Sequence, residues 1–207
     1  MPVKSDREYR RIELSGIEYR EEGQEKIVEG YATVFDQEYT LYSWSDWEVR
    51  ESFDSASFND TDLSDVIMQY DHQGRVFARG SNGTLTVKPD GYGLKIRANL
   101  GGTEIGNQLY EEIKGGYTTK MSIGFTVKTE ERTEEIDQEK NKTTVHRKIT
   151  GVKKLYDVSA VSLPANDATE ISARNIGDGL IAEIEEERLA AEARRKQIQK
   201  IKIMMEV

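Results

Sequence analysis

The sequence between residues 9 and 163 consists of short segments rich in Val, Ile, Tyr and Thr, separated by turn signals. Ser81-Asn82-Gly83 and Pro89-Asp90-Gly91 are two of these signals. Segments of this kind, bounded by Gly, Pro, Asn and Asp, are typical of β-strands. The predicted strands cover residues 12–19, 27–35, 66–70, 84–88, 93–100, 120–128, 145–149 and 153–162. So many short strands predict an α+β, β-dominated fold with a closed or nearly closed β-barrel.

Two further segments interrupt the predicted strands. Thr103 can cap the first turn of a helix that Gly115-Gly116 ends. The apolar residues that recur every four positions in this helix are Ile105, Leu109 and Ile113. Residues 130–142 are highly charged, with Ile136 as their single apolar side chain, and we interpret them as a mobile hairpin loop.

The character of the sequence changes after Pro164. Residues 180–204 contain no Gly or Pro and are rich in Ala, Glu, Arg and Lys, which predicts one long helix. Ile184, Ala191, Ile198 and Met205 are spaced by seven, which fits a solvated helix with a narrow apolar stripe or a coiled-coil seam. We therefore divide the chain into a β-barrel domain, residues 1–173, and a linker with a charged amphipathic C-terminal helix, residues 174–207.

The composition argues against several classes of function. The net charge is −9 and basic residues cluster only near the C-terminus, so we expect no nucleic acid as a partner. The chain has no cysteine and two histidines, His72 and His146, which predicts neither a metal nor a cofactor. No apolar run approaches the ~20 residues that span a bilayer, and the N-terminus lacks the apolar stretch of a secretory signal. We expect a cytosolic protein without a membrane partner.

Ser122 lies in a segment that alternates apolar residues with small or polar ones. In Met121-Ser122-Ile123-Gly124-Phe125-Thr126-Val127, the apolar side chains share one face of a strand, and Ser122 and Gly124 share the other. Ser122 therefore stands beside a glycine, where the backbone of a substrate could approach closely. Taken alone, the pattern also fits an ordinary polar serine on an outward strand face.

Two further residues could act on a serine hydroxyl. His72 follows the apolar segment 66–70, and a strand end holds a side chain firmly while leaving it accessible. Asp157 interrupts the apolar strand predicted at 153–162, where a carboxylate needs a partner such as an imidazole. Taken alone, His72 also fits a surface histidine in a turn, and Asp157 also fits a charge on an edge strand.

In combination, the segments around these residues resemble the prohead protease family of tailed bacteriophages. The resemblance covers residues 29–173 and does not extend to the C-terminal helix. Its segments are Gly30-Tyr31-Ala32-Thr33-Val34-Phe35, residues 51–58, Asp71-His72, Gly91-Tyr92-Gly93-Leu94, Met121-Ser122-Ile123-Gly124-Phe125, Leu155-Tyr156-Asp157-Val158-Ser159-Ala160-Val161 and Pro164-Ala165-Asn166. One departure is that Ser55-Ala56-Ser57 stand where the family usually has Pro-Gly before Ala-Phe.

The resemblance implies a serine endopeptidase related in fold to the herpesvirus assemblins, with helices flanking the β-barrel. It implies Ser122 as the nucleophile and His72 as its base. The third member of the triad falls on Asp157, where the family more often has Glu. Assemblins use a second histidine in this role, so His146 is the alternative to Asp157. Candidate oxyanion donors are backbone N–H groups near Ser122 or in a turn expected at residues 151–154.

The resemblance also implies a biological role. Such an enzyme cleaves scaffold segments of the major capsid protein, and itself, during maturation of the phage prohead. We therefore expect the major capsid protein or its scaffold segment as substrate, self-association, and a location in the host cytoplasm inside the assembling prohead. The alternative is a catalytically inactive capsid scaffolding protein on the same fold, which would use the helix after residue 180 as an assembly handle.

Overall fold

In the computed structural model, the described residues are 7–13, 15–161 and 167–205. Within these residues the chain forms eleven strands and two helices. The strands are β1 (Glu8–Glu13), β2 (Ser15–Glu22), β3 (Glu25–Val34), β4 (Tyr39–Trp44), β5 (Trp47–Phe53), β6 (Ile67–Tyr70), β7 (Gln73–Arg79), β8 (Leu85–Pro89), β9 (Gly93–Asn99), β10 (Lys120–Asp137) and β11 (Lys142–Val161). The helices are α1 (Glu104–Lys114) and α2 (Asp167–Met205). The fold is β-dominated, as predicted.

The described strands pair into two sheets. In the first sheet the order is β1-β10-β11-β5-β4, and β6 joins it by pairing with β11 on one side and β7 on the other. In the second sheet the order is β2-β3-β9-β8. The chain passes from one sheet to the other between β1 and β2, although the sequence predicts a single strand at residues 12–19. Within the described ranges neither sheet closes on itself, so the predicted closed or nearly closed barrel is not confirmed.

The main hydrophobic core lies between the two sheets. On β9, Leu94, Ile96 and Ala98 are buried, while the alternating Lys95 and Arg97 are more exposed. Buried residues that the first sheet contributes include Phe53, Met68, Ile123, Phe125, Leu155 and Val158. Helix α1 adds Leu109, Tyr110 and Ile113 to the same core. The sheet that carries the candidate site is thus supported from one face by close packing.

Strands β10 and β11 form a long hairpin, which corrects the interpretation of residues 130–142 as a mobile loop. The antiparallel ladder continues to its last pair, Asp137 with Lys142. The charged side chains are accommodated because this part of the hairpin is exposed and faces charges on α2. Arg132, for example, donates to Glu183 over 2.9 Å. The scarcity of apolar residues in this segment therefore reflects exposure and ion pairing rather than the absence of a fixed structure.

Both helices appear where the sequence predicts helices, but α2 starts earlier. Thr103 caps α1 as predicted, since its Oγ1 accepts a hydrogen bond of 3.1 Å from the Gly106 N–H. Helix α2 begins at Asp167 rather than at residue 180. Its buried residues Leu180 and Ile184 pack against a small apolar cluster that β5 and β11 provide with Trp47, Val49 and Val145. Neither described helix is long and apolar enough to cross a membrane.

A buried cluster of charged residues connects β1 to β11 and β5 of the first sheet. Glu51 accepts hydrogen bonds from Arg10, from Arg147 at 2.6 Å and from the Tyr39 hydroxyl at 2.5 Å. Glu8 accepts from Arg10 at 2.5 Å and from Arg147 at 2.9 Å. Burial alone would raise the pKa of Glu51, but Arg10 and Arg147 outweigh this and hold it at about 2. Because an unpaired buried charge is costly, the cluster holds β1 in place.

Candidate active site

Ser122 lies on β10, between β1 and β11 in the first sheet. Its neighbours Met121 and Ile123 belong to the main core, so alternation turns Ser122 toward the opposite face. Its backbone is paired with Arg11 of β1 and with Ser159 of β11. Ser122 has no exposed surface, and it is therefore not an ordinary polar serine on an outward face.

His72 lies in a tight turn between β6 and β7. Tyr70 pairs with Gln73, which leaves Asp71 and His72 as the two turn residues, with φ of 48° and 57°. Positive φ at both central residues characterises the type I′ turn, which suits twisted hairpins. Left-handed backbone is unfavourable for residues other than glycine and is often retained at functional sites. The Asp71 N–H donates to the carbonyl of Ala160 over 2.9 Å, which fixes the turn against β11.

Ser122, His72 and Asp157 meet on one face of the first sheet. Nε2 of His72 lies 2.6 Å from Oγ of Ser122, and Nδ1 of His72 lies 2.5 Å from Oδ1 of Asp157. The three residues come from adjacent parts of the sheet, because β10 pairs with β11 and β6 pairs with β11 on its other side. An imidazole held in this way can accept the hydroxyl proton at Nε2 while its Nδ1–H donates to the carboxylate.

Asp157 is fully buried on β11, which has β10 on one side and β6 on the other, so it is not a charge on an edge strand. Besides His72, Oδ1 accepts a hydrogen bond of 2.7 Å from the Ser159 hydroxyl, and Oδ2 accepts one from Arg7. Burial would raise the pKa of Asp157, but His72, Ser159 and Arg7 outweigh it and hold the pKa below its ordinary value. An ionised Asp157 can orient the imidazole and stabilise its protonated form.

Gly124 has a different role from the one that its sequence position suggested. A Cβ added to Gly124 would collide with Oδ2 of Asp157 and would lie 3.0 Å from both Arg7 and Tyr9. The space beside Ser122 is therefore occupied by the carboxylate and its neighbours, and not left open for a substrate backbone. Glycine is required at this position because the Asp157 side chain approaches the β10 backbone closely.

Sequence analysis missed two residues of the site, Arg7 and Tyr9. The Tyr9 ring packs edge-on against the His72 imidazole, with 4.5 Å between ring centroids. The guanidinium of Arg7 donates to Asp157, 150 positions later in the chain. No local motif predicts contacts of this sequence separation. The one available signal is the alternation of Arg7 and Tyr9 with Glu8 and Arg10 at the start of β1, which predicts two different polar faces.

His146 lies in another part of β11, eleven positions before Asp157. In an extended strand this separation corresponds to more than about 30 Å. Its Nδ1 lies 2.7 Å from Oε1 of Glu38, and its side chain is partly exposed. The structure therefore brings Asp157, rather than His146, to the imidazole of His72.

The structure contradicts the turn expected at residues 151–154, because these residues belong to β11. Gly151 pairs with Thr129, and the Val152 N–H donates to the carbonyl of Ser57 over 2.8 Å. Residues 151–154 are separated from Ser122 along the β10–β11 pairing, because Ser122 pairs with Ser159. Their backbone N–H groups therefore do not form an oxyanion hole beside Ser122. Backbone N–H groups near Ser122 remain the predicted hydrogen-bond donors to the oxyanion. Among the described residues, no group of three or more His, Asp or Glu side chains is arranged to hold a metal ion.

Comparison with protein-family models gives a match over most of the chain. A family model described as caudovirus prohead serine protease matches residues 12–179. The matched span contains Ser122, His72 and Asp157 and extends into α2. Pro164-Ala165-Asn166, the last segment of the resemblance, lies outside the described residues. Curated proteins and solved structures give no significant match. Because the family model covers well over half of the chain, this protein belongs to the caudovirus prohead serine protease family.

Proposed function

We propose that this chain is a serine endopeptidase in which Ser122 is the nucleophile, His72 the general base and Asp157 the residue that orients the base. The observation that carries the proposal is the continuous chain of hydrogen bonds from Asp157 through His72 to Oγ of Ser122. A serine hydroxyl is a poor nucleophile at neutral pH and needs such a base beside it. Membership of a prohead serine protease family supports hydrolysis of peptide bonds as the reaction.

The mechanism follows from the positions of the protons. As Oγ of Ser122 attacks the scissile carbonyl carbon, Nε2 of His72 takes the hydroxyl proton. The C–N bond then breaks, His72 passes this proton to the leaving amine, and the acyl group stays on Ser122 as an ester. A water molecule attacks the ester, His72 takes its proton, and the proton returns to Oγ when the acid product leaves. Asp157 stabilises the imidazolium that exists between these transfers.

Access of the substrate requires a local rearrangement. Ser122 has no exposed surface and the His72 side chain is 8% exposed. A peptide carbonyl reaches Oγ only after side chains beside the triad have moved. The Tyr9 ring, which packs on His72, is part of that cover. We therefore expect the resting enzyme to react slowly with small probes and faster once a substrate segment has bound.

The biological substrate and location are parts of the same proposal. We propose cleavage of the scaffold segments of the major capsid protein, and of the chain itself, inside the assembling prohead in the host cytoplasm. Self-association is expected there, while nucleic acid and membrane are not expected as partners. We also propose the division into a protease domain, residues 1–173, with an assemblin-like barrel, and a second part, residues 174–207. Leu180 and Ile184 of α2 are buried against Trp47, Val49 and Val145 of the first sheet.

Self-cleavage offers the simplest test of the proposal. Purified full-length protein, alone and mixed with capsid protein that carries its scaffold segment, is incubated and followed by intact-mass spectrometry. We expect defined fragments from the wild type and none from Ser122→Ala. Intact wild-type protein and intact substrate after long incubation would instead favour the inactive scaffolding protein. Fragments from Ser122→Ala at the wild-type rate would assign the nucleophile to another residue.

A further inference from the structure

Arg7 contacts two tyrosine rings and the carboxylate of the triad. Its guanidinium carbon lies 4.5 Å from the ring centroid of Tyr156 and 5.2 Å from that of Tyr9. From this position between two aromatic rings, Nη2 donates to Oδ2 of Asp157. The planar guanidinium stacks well on aromatic rings and presents its donors in a fixed direction. Arg7 is thus held at the carboxylate oxygen that does not contact His72.

The geometry of β1 explains how an arginine so near the N-terminus is held in place. Tyr9 pairs with Gly124 and lies on the triad face of the sheet. Glu8 and Arg10 point to the other face, where they join the buried cluster around Glu51. Because successive side chains of a strand alternate, anchoring Glu8 and Arg10 directs Arg7 and Tyr9 toward Asp157 and His72. The same strand therefore carries an anchor on one face and site residues on the other.

The contact between Arg7 and Asp157 sets the balance of charge in this buried part of the site. Asp157 is fully buried. The groups that face it are Arg7 just before β1, Tyr9 on β1, His72 in the turn between β6 and β7, and Ser159 on β11. Arg7 supplies a permanent positive charge beside the buried carboxylate. If that cation were removed, the carboxylate would attract a proton to His72 instead. A protonated imidazole cannot accept the proton of a serine hydroxyl.

We propose that Arg7 is a positioning residue of the site, which fixes Asp157 through Oδ2 and balances the charge of its carboxylate beside His72. This inference rests on the proposed function, in which His72 is the general base. It predicts that loss of the Arg7 charge moves the acidic limb of the kcat/KM profile to higher pH. A residue that served only the fold would lower the amount of active enzyme at every pH and leave the limb in place.

The test reads the protonation of His72 directly and does not require activity. The full-length chain carries Ser122→Ala, which prevents self-cleavage, and His146→Gln, which leaves one histidine signal in the proton NMR spectrum. In this background we titrate His72 with Arg7 intact, with Arg7→Gln and with Arg7→Lys. We expect the midpoint to rise by at least about 0.5 pH unit in Arg7→Gln, and to stay near its original value in Arg7→Lys.

Two outcomes would overturn the inference: an unchanged midpoint in Arg7→Gln, or an equal rise in Arg7→Lys, which keeps the charge. If circular dichroism shows that Arg7→Gln is unfolded, Arg7→Met replaces it, since an unbranched apolar stem preserves packing between the tyrosines. Activity is measured separately in proteins that retain Ser122. A shifted NMR midpoint with cleavage intact in Ser122→Ala would support the role of Arg7 and reject the proposed nucleophile.

Discussion

Gly124 of β10 pairs with Asp157 of β11, and Oδ2 of Asp157 occupies the space where a Cβ on Gly124 would lie. Gly124→Ala should therefore displace the carboxylate from His72. We expect a destabilisation of about 1–3 kcal/mol from overpacking and a loss of kcat on the order of 10²-fold from the displaced triad. Urea unfolding and peptide cleavage measure the two effects.

The matched control for this substitution is Gly179→Ala. Gly179 lies in α2 with open space at its Cβ position. There the alanine should stabilise the helix by up to about 1 kcal/mol and leave cleavage unchanged. Equal activities for the two variants would show that Asp157 tolerates the extra methyl group, and the close approach would then have no role in catalysis.

Asp157→Asn tests the third member of the triad. The amide keeps the shape of the carboxylate but cannot stabilise the imidazolium, so we expect acylation to slow on the order of 10⁴-fold. His146→Gln should have little effect, because His146 is paired with Glu38 elsewhere on β11. Both variants are assayed on one capsid-derived peptide. A greater loss in His146→Gln than in Asp157→Asn would support the assemblin-like arrangement instead.

Ser122→Ala and Phe125→Ala separate chemistry from folding. Ser122 is fully buried and its hydroxyl contacts His72, so truncation to alanine removes a buried hydrogen bond. Its removal should cost about 1 kcal/mol of stability and abolish cleavage. Phe125 is also fully buried but belongs to the main core, so its truncation should cost about 3 kcal/mol and reduce activity through unfolding. A Ser122→Ala protein as unstable as Phe125→Ala would assign Ser122 a mainly structural role.

Most of the strands could be predicted because their signals are local, whereas Ser122, His72 and Asp157 stood out only through the resemblance of their segments to a protease family. Alternation along residues 121–127 shows which side of β10 Ser122 occupies, and His72 follows a short apolar strand. The hairpin at 130–142 could not be recognised, because its stability comes from cross-strand pairs and from ion pairs with α2 such as Arg132 with Glu183. Hydrophobic periodicity, the usual signal, is absent there.

Contacts between residues that lie far apart in the sequence cannot be predicted from local sequence patterns. Residues 12–19 look like one strand, yet the chain changes sheets between β1 and β2. Arg7 reaches Asp157 across 150 positions, and Arg10 reaches Glu51 across 41. Nothing in the local pattern of an N-terminal charged segment distinguishes such an anchor from a solvated tail. Only tertiary packing brings these residues together.

The buried Glu51 predicts how stability depends on pH. Folding lowers the pKa of Glu51 from 4.5 to about 2, so its carboxylate stabilises the fold above pH 4.5, and this contribution is lost as the pH falls toward 2. The Glu51 carboxylate thereby contributes on the order of 3 kcal/mol to the free energy of unfolding at neutral pH. Urea unfolding between pH 7 and pH 2.5 should show a shallower loss in Glu51→Gln than in the wild type. Exposed Glu131→Gln is the control, and identical slopes for all three proteins would contradict this role of Glu51.

The central claim is that His72 activates Ser122, and covalent labelling tests it most directly. A fluorophosphonate reacts with a serine hydroxyl that a neighbouring base has activated, releases fluoride and leaves a stable phosphonyl ester. After prolonged incubation, peptide mapping by mass spectrometry should find the adduct on Ser122 of the wild type. His72→Ala and Ser122→Ala should remain unlabelled, while His146→Gln should label at the wild-type rate. An adduct on another serine, or equal labelling of Ser122 in His72→Ala, would contradict the account.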